Sequence, residues 1–174
     1  MAAYIALLRA VNVGGTGKLP MSDLKGLCER AGFDAVQTYI ASGNVVFQSA
    51  GSEDEVKAAL EAELQVYAGR PVGVLVRTAA QMGEVLADNP FPDAAPNWTV
   101  AIFLDEAPAP DALTSVTGRD GEELRLGRRE VYVRYGEGMG RSKLKIPAAR
   151  DGTARNMNTV AKLAAMAAEL GETV

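Results

Sequence analysis

The sequence predicts an α+β protein built of duplicated ferredoxin-like (split βαβ) halves with antiparallel sheets and a C-terminal helix. Three observations predict it. Signals in the first half run β-α-β-β-α-β, the split βαβ order. Strand signals then resume in a similar order after a segment rich in Pro, Ala and Asp between Pro90 and Asn97. At 174 residues, 48% hydrophobic and 23% charged, the chain suffices for one large domain or two small ones. The expected boundaries are 1–90 for the first half and 97–174 for a second, degraded half plus the C-terminal helix.

The elements follow from local pattern. The apolar run "YIALL" reads as a buried strand near 4–9. "MSDLKGLCERAG" spaces Leu24, Leu27, Cys28 and Ala31 as one helical face. Two β-rich runs, 35–41 and 45–49, are joined by the hairpin signal "SGN". Ser52 and Glu55 have capping-box spacing, followed by the helical face Val56, Leu60, Leu64 and Tyr67 and the stop signal Gly69. A strand at 72–76 leads to a short helix with a second box, Thr78 and Gln81, stopped at Pro90. In the second half, strands are expected at 99–104, 123–126 and 130–135, with a weak helix over 111–116. Between residues 136 and 156 turn residues dominate, leaving room for a short helix and a short strand. The last helix shows Val160, Leu163, Ala164, Ala167 and Leu170 on one face.

Composition narrows the functional classes. Net charge is −4, which argues against general nucleic-acid binding. No apolar stretch is long enough to span a membrane. The opening residues lack a basic region and read as a strand instead of a signal peptide. The lone Cys28 forms no internal disulfide and sits on an apolar face, as a core residue would. A cytoplasmic protein is expected. With no histidine and one cysteine, Ser-His and Cys-His pairs are excluded, and no metal site is expected.

Three stretches carry chemical signals. "RAVNVGGTGKLP" resembles a phosphate loop, but Asn12 stands where the first P-loop glycine belongs and Leu19 where the magnesium-binding hydroxyl belongs. What survives is a glycine-rich turn with exposed N–H groups between Arg9 and Lys18, able to hold an anion or simply to turn the chain. In a split βαβ sheet the first and second strands run parallel, so "SGN" (Ser42, Gly43, Asn44) lies at the same end as this loop. The plain alternative for "SGN" is a β-turn. "GEGMGRSKL" is a second glycine-rich turn, ending in Arg141, Ser142 and Lys143. "TARNMNT" is the third, with Arg155, Asn156, Asn158 and Thr159; Asn156 or Asn158 also suits a helix N-cap. In the same topology "GRSK" and "RNMN" share an end. The pair Glu122-Glu123 flanks a strand and reads as solvated.

The stretches "ALLRAVNVGGTGKLPM", "YIASGNVVF", "GRSKL" and "TARNMNTVAKL" together resemble the bacterial domain-of-unknown-function (DUF) 1697 family. The resemblance runs along essentially the whole chain and implies the duplicated ferredoxin-like fold, with no established activity. Its motif residues carry over as Arg9, Asn12, Gly14, Gly15, Lys18, Ser42, Asn44, Ser142, Lys143, Arg155, Asn156, Asn158 and Thr159. Met157 stands where the family usually has tryptophan. The segment between "SKL" and "TARN" is shorter than usual, so a second long helix is expected to be missing there.

These residues point to a ligand-binding site for a small anionic, phosphate-bearing ligand in a cleft between the halves, with Lys18 and Arg155 on one concave surface. The alternatives are a nucleic-acid-binding module, disfavoured by the scarcity of stacking aromatics, and a protein-interaction module. No catalytic residue, cofactor or oligomeric state is legible.

Overall fold

The computed structural model describes residues 1–9, 18–40 and 43–172. It is α+β, with two four-stranded antiparallel sheets and a C-terminal helix. The chain divides into two compact units, Met1–Gly83 with Leu163–Val174, and Glu84–Lys162.

The first unit contains β1 (Ala2–Leu8), α1 (Met21–Arg30), β2 (Asp34–Tyr39), β3 (Asn44–Ser49), α2 (Glu53–Ala68) and β4 (Val74–Thr78). Its strand order is β2-β3-β1-β4. β1 is antiparallel to β3, and β3 to β2, so β1 and β2 run parallel. On one face, Tyr4, Ala6, Leu8, Val45, Phe47, Val74 and Val76 meet the apolar sides of α1 and α2, including Leu24, Leu27, Leu60 and Leu64. Each fully buried leucine contributes about 1.5–3 kcal/mol. Phe33 stacks on Phe47 with ring centroids 4.1 Å apart.

Local chemistry sets the element ends. Ser52 accepts from the Glu55 N–H at 3.2 Å, and the Glu55 carboxylate accepts from the Ser52 N–H at 3.1 Å. Gly69 closes α2 with φ at 71°. Thr78 and Gln81 make the reciprocal pair, at 2.9 and 3.1 Å, that starts α3 (Ala79–Ala87). One expected core position differs: Tyr67 is 43% exposed, and its hydroxyl donates to Asp23 at 2.7 Å. It sits at the last turn of α2, where a phenol satisfies its polar end at the surface.

The second unit repeats the strand order. β5 (Thr99–Phe103), β6 (Glu123–Leu126), β7 (Glu130–Arg134) and β8 (Thr153–Asn156) align as β6-β7-β5-β8. The long helices do not recur. Short 3-10 turns at Ala112–Ser115, Gly136–Arg141 and Pro147–Ala149 take their place. The sheet face of Val100, Ile102, Leu124, Val131 and Val133 is instead covered by scattered apolar residues such as Leu113, Met139, Leu144 and Ile146. The expected weak helix over 111–116 is thus a single 3-10 turn.

The helix α4 (Met157–Glu172) follows β8 directly. The division between units falls inside α3 and inside α4, while the composition shift lies at 90–97. The C-terminal turns of α4 belong with the first unit, where the Gln48 side chain donates to the Leu170 carbonyl at 2.7 Å.

Candidate functional site

The strand pairing of the second unit builds a polar pocket. Glu123 of β6 lies opposite Arg134 of β7, so the segment before β6 and the segment after β7 leave the sheet at the same end. Thr117 and Lys145 then pair in a two-way backbone bridge, with N–H to carbonyl distances of 3.0 and 2.9 Å. Gly118 follows with φ at 71°. A Cβ there would stand 2.1 Å from the Lys143 carbonyl oxygen, so only glycine fits this close approach.

The two segments border an open pocket of about 500 Å³. Gly118, Arg119, Asp120 and Glu122 line it from one side. Tyr135, Arg141, Ser142 and Lys143 line it from the other. Arg119, Asp120, Arg141 and Lys143 are exposed, while Tyr135 and Ser142 are half-buried.

Glu122 holds the pocket together. Its residue is 3% exposed. Its carboxylate accepts from the Asp120 N–H and, at 2.6 Å, from the Ser142 hydroxyl. Its carbonyl accepts from Arg119 Nε at 2.7 Å. The Ser142 oxygen in turn accepts from the Leu144 N–H at 3.2 Å. These donors, the Ser142 hydroxyl foremost, hold the Glu122 carboxyl below the ordinary carboxylate value. A carboxylate kept ionised by two donors is a weak base, so the Glu122–Ser142 pair acts as a clamp and not as an activated nucleophile. Burial, and then the Glu122 charge, push the Tyr135 phenol above its ordinary value, so it stays protonated.

The expectation that Glu122 and Glu123 are both solvated is corrected here. Glu122 is buried because the Asp120 N–H and the Ser142 hydroxyl replace water around its charge. Glu123 binds Arg134 across the β6–β7 pair at 2.6 Å.

The pocket brings together Ser142 and Lys143 of the expected site residues. It adds Gly118, Arg119, Asp120 and Tyr135, which sequence reasoning passed over, and Glu122, which it read as solvated. A signal existed: "TGRDGEE" is a glycine-rich charged turn before a strand, much like "GRSK". The "RNMN" residues are placed differently. β7 and β8 both run antiparallel to β5, so they are parallel and share an end, as expected. They flank β5, however, and none of Arg155, Asn156 or Asn158 lines the pocket. Asn156 caps α4, its Oδ1 accepting from the Thr159 N–H at 2.9 Å. Asn158 is exposed, and Thr159 is buried. Arg155 is 7% exposed, and its guanidinium donates to Thr153 Oγ1 at 2.8 Å and to the Ala154 carbonyl at 2.9 Å. Burial pushes its pKa down to about 10, so it remains charged at neutral pH.

In the first unit, Leu8 N–H donates to the Gly43 carbonyl at 2.9 Å, which joins the end of β1 to the turn after β2. Asn44 is fully buried and donates to the Tyr39 carbonyl at 2.9 Å. Arg9 is half-buried. Its N–H donates to the Gly73 carbonyl at 2.9 Å, and its side-chain Cδ stands 3.0 Å from where a Cβ on Gly73 would be. Lys18 is exposed. Asn12, Gly14, Gly15 and Ser42 lie outside the described residues.

Among the described residues, no group of three or more His, Cys, Asp or Glu stands together to hold a metal ion. No helix among them is long and apolar enough to cross a membrane.

A conserved bacterial protein from Streptococcus pneumoniae, SP0830, is similar in structure, with a TM-score of 0.79 and 25% identity. The match covers 95% of this chain and 98% of that one. No curated protein matches the sequence. The family model described as "Protein of unknown function (DUF1697)" matches residues 1–132. "GRSKL" and "TARNMNTVAKL" lie beyond that stretch. By its matched residues, this chain belongs to the DUF1697 family.

Proposed function

We propose that the protein binds a small phosphate-bearing anion, and that the pocket of the second unit is its binding site. The observation that carries this reading is the convergence of Arg119, Arg141 and Lys143 on one cavity of about 500 Å³. Small-ligand sites commonly measure about 300–1,000 Å³. Two carboxylates share the cavity, but that of Glu122 is already satisfied by Asp120 and Ser142. The glycine-rich stretch between Arg9 and Lys18 is proposed as a second anion-holding element. In keeping with the reading, the single cysteine is buried and unpaired, as suits a reducing compartment such as the cytoplasm. The net charge of −4 disfavours nucleic acid as the partner.

Charge alone supplies little affinity. An exposed ion pair contributes about 0.2–1 kcal/mol, so three supply at most about 3 kcal/mol. A millimolar complex needs about 4 kcal/mol. The bound molecule therefore makes contacts beyond its phosphate.

A thermal-shift titration with ribose 5-phosphate at constant ionic strength tests the proposal. A concentration-dependent rise in Tm is expected, and the double substitution Arg141→Ala with Lys143→Ala removes it. No rise in the native protein, or an undiminished rise in the double variant, refutes the site.

A further inference from the structure

We propose that the ligand of this pocket is a nucleoside monophosphate, its phosphate held by Arg119, Arg141 and Lys143 and its base lying against Tyr135. The inference rests on the anion-binding reading and names the class of molecule. Three features of the cavity carry it.

The first is Tyr135. It is half-buried and packs against the apolar core under β5, β6 and β7, and it also lines the cavity. An aromatic ring held by core packing is a ready stacking platform, since every base offers a π-face.

The second is the mixture of charges. Asp120 lines the same cavity as the cations, and its negative charge opposes a bare phosphate. Carboxylates accept hydrogen bonds and donate none at neutral pH. They suit a ligand whose far end carries donors, such as ribose hydroxyls or a base amino group.

The third is the commitment of Ser142. Its hydroxyl donates to Glu122. The phosphate is therefore met by cationic side chains, which distinguish poorly among phosphate esters. Selectivity falls to the aromatic and acidic side of the pocket, and an inorganic phosphate leaves most of a cavity this size unfilled.

Calorimetric titration of the full chain with AMP, ribose 5-phosphate and adenosine at fixed ionic strength tests this. AMP is expected to bind at least about ten-fold tighter than either fragment, the factor that one stacked base typically supplies. Tyr135→Leu brings AMP down to the level of ribose 5-phosphate and leaves ribose 5-phosphate unchanged. Tyr135→Phe keeps the ring, is expected to hold the fold, and retains the AMP preference. Equal binding of AMP and ribose 5-phosphate by the native protein overturns the nucleotide inference while leaving the anion reading standing. An AMP preference that Tyr135→Phe abolishes also overturns it, because the ring is then not the contact. Adenosine binding as tightly as AMP removes the phosphate from recognition, and no binding of any of the three overturns both readings.

Discussion

The Ser142 hydroxyl donates to Glu122 at 2.6 Å and ties together two turns that are separate in sequence. Loss of Ser142 leaves a buried carboxylate with one donor fewer. Ser142→Ala is expected to cost about 1 kcal/mol, read as a lower urea midpoint at pH 7. No change would show that water replaces the hydroxyl without penalty.

The same clamp gives stability an acid limb. The Glu122 carboxyl is held below its ordinary value of 4.5, first by Ser142 and then by the Asp120 N–H. A lowered folded-state pKa means that folding favours the ionised form. Its contribution is complete above the unfolded value and is lost as pH falls through the lower folded value. The stability gap between the native protein and Glu122→Gln should therefore shrink when urea melts at pH 7 are repeated near pH 3. A gap of constant size would assign the effect to packing alone.

Gly118 has the tightest backbone constraint around the pocket. A Cβ would collide with the Lys143 carbonyl, and the positive φ adds strain. Gly118→Ala is expected to cost about 2 kcal/mol or more, measured by thermal melting. An alanine variant as stable as the native chain would show that the 117–145 bridge is not rigid.

Cys28 is fully buried, and burial, reinforced by Glu29, pushes its thiol up to about 12. The thiolate needed for attack is scarce in the folded state. An aromatic disulfide reagent at pH 8 should label the native protein far more slowly than the urea-unfolded chain. Equal rates would place the thiol at the surface.

Arg155 is buried, and its guanidinium donates to Thr153 Oγ1 and to the Ala154 carbonyl. Arg155→Ala is expected to lower the ligand-free Tm, by about 1–3 kcal/mol of stability. An unchanged ligand-free Tm with loss of the phosphate-induced shift would instead assign Arg155 to ligand binding.

Much of the fold was written locally. The capping boxes Ser52–Glu55 and Thr78–Gln81, the stop at Gly69, the core position of Cys28 and the strands 123–126 and 130–134 depend on residues a few positions apart. The β-α-β-β-α-β order of the first unit followed from the same short-range signals. In the second unit those signals thin out, because 3-10 turns and scattered apolar residues cover the sheet where amphipathic helices would announce themselves.

The candidate site was legible only in part. "GRSK" stood out as a basic glycine-rich turn, and two of its residues, Ser142 and Lys143, were expected to bind. What meets it was decided by tertiary structure. The β6–β7 register and the Thr117–Lys145 bridge bring residues 118–122 against residues 135–143. Glu122 looked like a solvated carboxylate because its partner Ser142 lies on the far side of a hairpin, and burial is a property of the pair. Likewise Arg155 read as a cation awaiting an anion, whereas its place beside Ala101 in the sheet sets it inside. Sequence determined the type and order of the first unit's elements and the order of the second unit's strands, since helix caps, turns and alternation are short-range. Only the folded chain decided which charges face a cavity and which are enclosed, because that depends on contacts between segments that no local pattern records.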